Sequence, residues 1–198
     1  GADLGLHKAI VLVHRINLFY GVRWQAQPAR AEDSPRRGVP DLLLTCVDSA
    51  PARLAVASWT RTEYSPTLWL DCGNGALQGQ VVLGHLGGER SALPSRLPNV
   101  LDLFPELRGM KDDDTPSCST AQALRKQALP VNRVAATIAL DLLYSLFRFG
   151  RLEHHGAQFS VDPLRVTPIP IDPSAWELYG YRTAAPEPVA PARKGRRR

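Results

Sequence analysis

The eight residues from Asp41 to Asp48 constrain this chain more than any others. Leu42, Leu43, Leu44, Thr45, Cys46 and Val47 make a short, largely apolar run without alternation, and a carboxylate closes it. A run of that length and continuity predicts a strand buried on both faces, the pattern of a parallel sheet with helices on either side. The next residues agree. Ser49 suits a helix N-cap and Pro51 suits a first helical turn, so a helix is predicted over 50–60. A strand and a helix joined at a carboxylate make the opening of an α/β unit.

The rest of the chain extends that pattern. Upstream, Asp3 is placed to cap a helix over 4–18, where Ala9, Ile10, Val13 and Ile16 recur at helical spacing, and Gly21 ends it. Residues 22–26 alternate like a strand, and 28–40, with prolines at both ends, read as a loop. Downstream, a strand over 67–71 leads into the turn signal Gly73, Asn74 and Gly75, and a second strand is expected over 77–85. Residues 87–114 are loop-rich, with Pro94, Pro98 and Pro105. A short helix is expected after Ser119, and a long one over 131–149, stopped by Gly150. Strands over 151–161 and 164–171 form a hairpin. From Thr183 onward only Ala, Pro, Arg and a few others remain, which reads as a disordered tail. The domain therefore spans 1–182 and the tail 183–198.

Composition removes several alternatives. With 44% hydrophobic and 22% charged residues, the chain of 198 residues matches a folded domain rather than a disordered one. The longest apolar stretch, 131–149, is interrupted by Asn132, Arg133, Asp141 and Arg148, so no membrane span is expected. The net charge of +5 equals the positive charge carried by Arg193, Lys194, Arg196, Arg197 and Arg198. The body is neutral, and any contact with nucleic acid is expected to be weak and confined to the tail. Three widely spaced cysteines, Cys46, Cys72 and Cys118, form neither a disulfide framework nor a CxxC zinc pair, and a cytoplasmic setting is expected.

Three residues stand out chemically. Asp48 lies at the carboxyl end of a predicted buried strand, the edge at which open α/β sheets bind ligands; there it serves either a ligand such as Mg²⁺ or the following helix. Lys8 lies in the first turns of a predicted helix, where its charge opposes the macrodipole, so it points either to a phosphate or to a solvated surface. Cys118 lies in a loop just before a predicted helix, where a thiol gains acidity, or it is a small semi-buried residue. Cys46 and Cys72, inside apolar strands, read as inert core. Asp112, Asp113 and Asp114 read as a solvated run. His154 and His155 face opposite sides of a strand and cannot easily share a metal. The glycines at 73, 75, 87 and 88 form neither a GxGxxG motif nor a P-loop.

Taken in order, several segments resemble the ThiF/E1 superfamily, the adenylylating enzymes that activate ubiquitin-like proteins and sulfur carriers. Residues 3–9 (DLGLHKA) resemble its D-x-G-x-x-K segment, and 43–53 (LLTCVDSAPAR) its strand ending C-x-D-N-x-x-x-R, with Ser49 in place of the asparagine. Residues 73–82 resemble its glycine-bearing strand turn, and Pro116 to Ser119 its P-x-C loop. Residues 70–75, 116–119, 146–150 and 171–173 with Trp176 are most similar to the bacterial PRTRC-system branch of that family. The resemblance implies a Rossmann-like α/β adenylation domain with a mostly parallel central sheet. It also implies that the family's N-terminal nucleotide-binding βαβ unit is missing from this chain.

The same resemblance implies an activity. A ubiquitin-like protein's C-terminal carboxylate would be adenylylated with ATP and Mg²⁺, and a thioester on cysteine would follow. It implies roles for Lys8, Val47, Asp48 and Arg53 toward the nucleotide, for Asp48 as Mg²⁺ ligand and catalytic residue, and for Cys118 as the thioester cysteine. No structural zinc is expected. The implied partners are the ubiquitin-like protein, an E2-like protein and a second copy of the chain. The competing expectations are a non-catalytic subunit of the same fold that binds a ubiquitin-like partner, and a nicotinamide-dependent oxidoreductase, which would also need a glycine-rich turn.

Overall fold

The computed structural model describes residues 5–30, 33, 40–59, 67–87, 96–110 and 128–183. Its elements, in chain order, are α1 (Lys8–Tyr20), β1 (Leu42–Thr45), α2 (Ala50–Ala57), β2 (Leu68–Asn74), β3 (Gln78–His85), α3 (Val100–Leu103), a 3₁₀ turn (Pro105–Arg108), α4 (Val131–Phe149), β4 (His154–Val161), β5 (Leu164–Pro170) and α5 (Pro173–Glu177). The expected short helix after Ser119, the Asp3 cap and the tail beyond Thr183 lie outside the described residues.

The fold is α/β, with five strands in the order β1-β2-β3-β4-β5. The sheet is mixed and mostly antiparallel, which corrects the expectation of a mostly parallel one. Only β1 and β2 run parallel, joined through α2, while β2–β3, β3–β4 and β4–β5 are all antiparallel. Connection length accounts for two of the three antiparallel pairs. A parallel partner needs a crossover of a dozen residues or so, which the β1–β2 link supplies through α2; the long β3–β4 link, which carries α3, the 3₁₀ turn and α4, nevertheless returns its strand antiparallel. Short turns after Asn74 and Val161 fold the chain straight back. The pairing Asn74↔Gly79 closes the first hairpin and Val161↔Leu164 the second.

Nor is β1 buried on both faces. It is the outermost strand of the sheet, and Leu44 is 51% exposed. Leu42 packs partly against the α4 side and Leu43 against the other, and the edge position leaves Leu44 open.

Helices cover both faces of the sheet. On one face, Val131, Ala135, Ala139 and Leu142 of α4 pack on Leu70, Val81, Leu83 and Phe159. These four helical positions recur at spacings of four, four and three, and they are the only buried residues of that helix. On the other face, Val56 of α2, the α3 residues Val100, Leu101 and Leu103, and Trp176 of α5 enclose Trp69, Val82 and Ile169. No residue of α1 is buried.

Two expected element boundaries shift for local reasons. Helix α1 begins at Lys8, not at residue 4, because Gly5 sits at φ +85°, outside helical space. Gly21 ends it in the left-handed conformation, as expected. The expected strand at 22–26 does not form. The Asn17 amide claims that segment instead, accepting from Trp24 N at 2.7 Å and donating to Trp24 O at 2.9 Å.

The stretch read as loop after Gly87 carries a buried polar knot. The Asn99 side chain caps α3 and donates to the carbonyls of His85 (2.9 Å) and Gly87 (3.0 Å). Asp102 accepts from Asn99 N at 2.8 Å and from Arg96 at 2.6 Å. The knot needs a bare backbone beneath it. A Cβ at Gly84 would stand 2.4 Å from Asn99 Cα and from the Pro98 carbonyl oxygen. Gly84→Ala is therefore expected to destabilise the fold by about 2 kcal/mol, in the range of core overpacking, read as a lower urea midpoint at unchanged slope.

Candidate functional site at the carboxyl edge of β1 and β2

The single parallel pair creates one edge at which two strands end side by side. Thr45 closes β1 opposite Asp71. Cys46, Val47 and Asp48 then lead the chain off the sheet to Ser49, whose hydroxyl caps α2 by accepting from Ala52 N at 3.1 Å. Pro51 stands in the first helical turn, where no amide proton is required. One helical turn further, Arg53 reaches back to the strand ends.

Arg53 and Asp71 form a buried ion pair, with Nε donating to Oδ2 at 2.9 Å. The guanidinium also donates from Nη2 to the carbonyls of Val47 at 2.7 Å and Cys72 at 3.3 Å. Asp71 accepts a further bond from Thr45 Oγ1 at 2.6 Å, and Trp69 Nε1 donates to that same hydroxyl at 2.7 Å. Burial pushes the Asp71 carboxyl above its ordinary value, opposed by the Arg53 charge and by the bonds from Thr45 and Arg53. Gly73 makes room for this arrangement, because a Cβ there would lie 3.0 Å from Arg53 Nη2 and 2.5 Å from Gln80 Nε2.

The predicted site residues separate into three groups. Val47, Asp48 and Arg53 belong together at this edge. Asp48 is exposed, and no described side chain bonds its carboxylate, so it is available to a ligand. Val47 contributes its carbonyl to Arg53, and Arg53 directs its guanidinium inward, so both set the course of the loop that presents Asp48. Lys8 lies elsewhere in the described structure, on the wall of a hollow it shares with Leu12, Gln27, Arg30 and Asp33 but not with Asp48. Cys118 is outside the described residues.

Two features of the edge escape a reading by pattern. One is Asp71, whose signal was available: a carboxylate inside an apolar strand must find a cation, and Arg53 follows Asp48 at one helical turn and a half. The other is the cysteine pair. Cys46 and Cys72 were expected to be inert core, yet Cys46 is exposed and Cys72 only half-buried. The two thiols are close enough to perturb one another. The neighbouring Cys72, helped by Arg53 and opposed by burial and Asp71, lowers the Cys46 thiol to about 6, whereas Cys46, burial and Asp71 together raise Cys72 against the Arg53 charge.

Beside Gly73 the same face of the sheet opens into a cleft of about 500 Å³. Gln80, Gln158 and Thr167 cross its floor in register from β3 to β5, while Phe104, Glu106 and Arg165 stand around it. Its volume lies in the ~300–1,000 Å³ range of small-molecule sites, and its lining is mainly polar.

Comparison with known proteins finds no family model and no curated protein that matches the chain. Among the described residues no helix is long and apolar enough to cross a membrane, and no cluster of three or more His, Cys, Asp or Glu side chains is placed to hold a metal.

Proposed function

We propose that this chain is part of a ThiF/E1-like enzyme, resembling the PRTRC-system branch, that adenylylates the C-terminal carboxylate of a ubiquitin-like protein. The observation that carries the reading is Asp48: an exposed carboxylate at the carboxyl end of a strand, on a loop held by Arg53. Open α/β sheets bind ligands at that edge. The residues fit Mg²⁺–nucleotide in one respect. Magnesium in nucleotide sites takes one or two carboxylates and completes its shell with phosphate and water, so a single aspartate suffices. In a second respect they do not: no glycine-rich phosphate cradle occurs among the described residues.

In this reading ATP supplies the adenylyl group and pyrophosphate leaves. Asp48 would hold the metal, and the buried Arg53 acts through Val47 and Asp71 as a positioning residue, while Lys8, implied by the resemblance, stands apart from Asp48 in the described structure. The polar floor of Gln80, Gln158 and Thr167 offers donors and acceptors to an extended tail. Cys118 then attacks the acyl carbon as thiolate, a thioester bond forms and AMP departs. An E2-like protein is the receiving partner, and a second copy of the chain completes the assembly.

ATP–pyrophosphate exchange on the full-length gene product, with a ubiquitin-like protein encoded beside it, tests the reading. Exchange is expected, and Asp48→Ala is expected to reduce it by ~100-fold or more, the scale of losing one group that stabilises reaction charge. Cys118→Ala is expected to leave exchange intact and to abolish a thiol-labile conjugate. Exchange that Asp48→Ala leaves unaltered overturns the assignment of Asp48.

The inward-facing Arg53 favours a second reading, a non-catalytic subunit that binds the ubiquitin-like protein without turning over ATP. Tight binding with no exchange selects it.

A further inference from the structure

We infer that Cys46 and Cys72 form a redox-active dithiol whose oxidising substrate is a hydroperoxide, with Cys46 the attacking thiol and Cys72 the resolving one. The inference stands on the placement of the two side chains and is independent of the adenylylation reading.

Three observations carry it. First, the parallel ladder of β1 and β2 ends at Thr45↔Asp71, so Cys46 and Cys72 are the next positions in register. Neighbouring strands lie about 4.8 Å apart, inside the ~4.4–6.8 Å Cα separation over which a disulfide closes without moving backbone. The two thiols are close enough to perturb one another, and both cysteines are unbridged. Second, Cys46 lies one residue past the end of β1. Its backbone is not held in the ladder and can turn from thiol contact to the bonded S–S distance. Third, the two differ in access. Cys46 is exposed, whereas Cys72 packs partly against the core beneath α4. An oxidant from solvent reaches Cys46 first, and Cys72 waits within bonding range.

The chemistry balances in two steps. The Cys46 thiol gives up its proton, and its sulfur attacks one peroxide oxygen. The O–O bond breaks, sulfur is oxidised to sulfenic acid, and with hydrogen peroxide the other oxygen leaves as water. Cys72 then attacks the Cys46 sulfur, the S–S bond forms, the S–O bond breaks, and a second water leaves with the Cys72 proton. Two thiols and one hydrogen peroxide become one disulfide and two waters. The second step is intramolecular and so outpaces further oxidation of Cys46.

Trypsin places the three cysteines on separate peptides, 38–53, 62–90 and 112–125, so the product can be read directly. The full chain is treated with stoichiometric hydrogen peroxide, alkylated and mapped by mass spectrometry. The expected result is loss of two free thiols per chain and a single bridge joining 38–53 to 62–90. That bridge should exceed either bridge to 112–125 by ~10-fold or more in the native chain. The preference should vanish when oxidation is carried out in urea, where the register is lost. In Cys72→Ser, dimedone should trap a sulfenic acid on Cys46, whereas in Cys46→Ser the Cys72 thiol should survive the same dose. A native chain that bridges mainly through Cys118, or that keeps 46 and 72 reduced while Cys118 oxidises, overturns the inference. The wild-type map decides this without any variant having to fold.

Discussion

Replacing Arg53 with Met is expected to lower the unfolding free energy by about 3–5 kcal/mol at neutral pH, the scale of stranding one member of a buried ion pair. Both partners are nearly inaccessible, with Arg53 5% and Asp71 1% exposed. Without the guanidinium, Asp71 keeps only the Thr45 hydroxyl, and the carbonyls of Val47 and Cys72 lose their donor. Urea unfolding should show a lower midpoint. The double variant Arg53→Met, Asp71→Leu should recover part of the loss, because it removes the stranded charge together with its partner. The sign with pH is also defined. Burial already raises Asp71, and without Arg53 it rises further. A carboxyl raised above its unfolded value favours the fold at low pH and loses that contribution as pH rises through the folded value. The deficit of the single variant should therefore shrink toward pH 4. A deficit under about 1 kcal/mol at pH 7 would place Arg53 in solvent and remove it as the anchor of the Asp48 loop.

Acidification should weaken the fold through His155. This ring is fully buried and sits between Leu83 O, 2.8 Å from Nδ1, and Trp176 Nε1, 2.9 Å from Nε2. The carbonyl can only accept and the indole can only donate, so the ring is neutral with its proton on Nδ1. Protonating Nε2 would set it against the indole N–H. Burial accordingly lowers the His155 value from 6.5 to about 4, despite the bond to Leu83. In that window the unfolded chain binds a proton that the folded chain does not, so stability is intact above 6.5 and falls as pH drops toward 4. At about 1.4 kcal/mol per pH unit the loss is about 3 kcal/mol. Asp71 and Asp102, both raised by burial, act in the opposite sense above 3.8. Comparison with His155→Gln cancels them, since glutamine can donate and accept without titrating. The stability difference between wild type and variant should shift by about 3 kcal/mol from pH 7 to pH 4. A difference constant within ~0.5 kcal/mol would show that the ring is not held neutral.

The same ring marks a limit of pattern reading. His154 and His155 face opposite sides of β4, as alternation along a strand requires, but only packing gives His155 its role. The indole that fixes its tautomer comes from residue 176, on the short α5 beyond the β4–β5 hairpin. Arg96 is similar. Nothing in its sequence neighbourhood announces that it will be buried against Asp102 and hydrogen-bonded to Tyr181 at 3.0 Å.

What the sequence alone determined is local. The α4 helix and its glycine stop, the Ser49 cap, the strand entering Asp48 and the closing hairpin all follow from spacing, capping and chain reversal within a few residues. Tertiary structure decided strand direction, which faces were covered, and who met whom at the β1 edge. Those outcomes depend on which distant strand pairs with which. Hydrophobic runs do not encode this choice, because antiparallel, parallel, edge and central strands can bury the same side chains. The Arg53–Asp71 pair and the Cys46–Cys72 contact both exist because β2 lies parallel beside β1 in one register. A shift of one residue would turn Asp71 to the opposite face of the sheet and separate all four side chains.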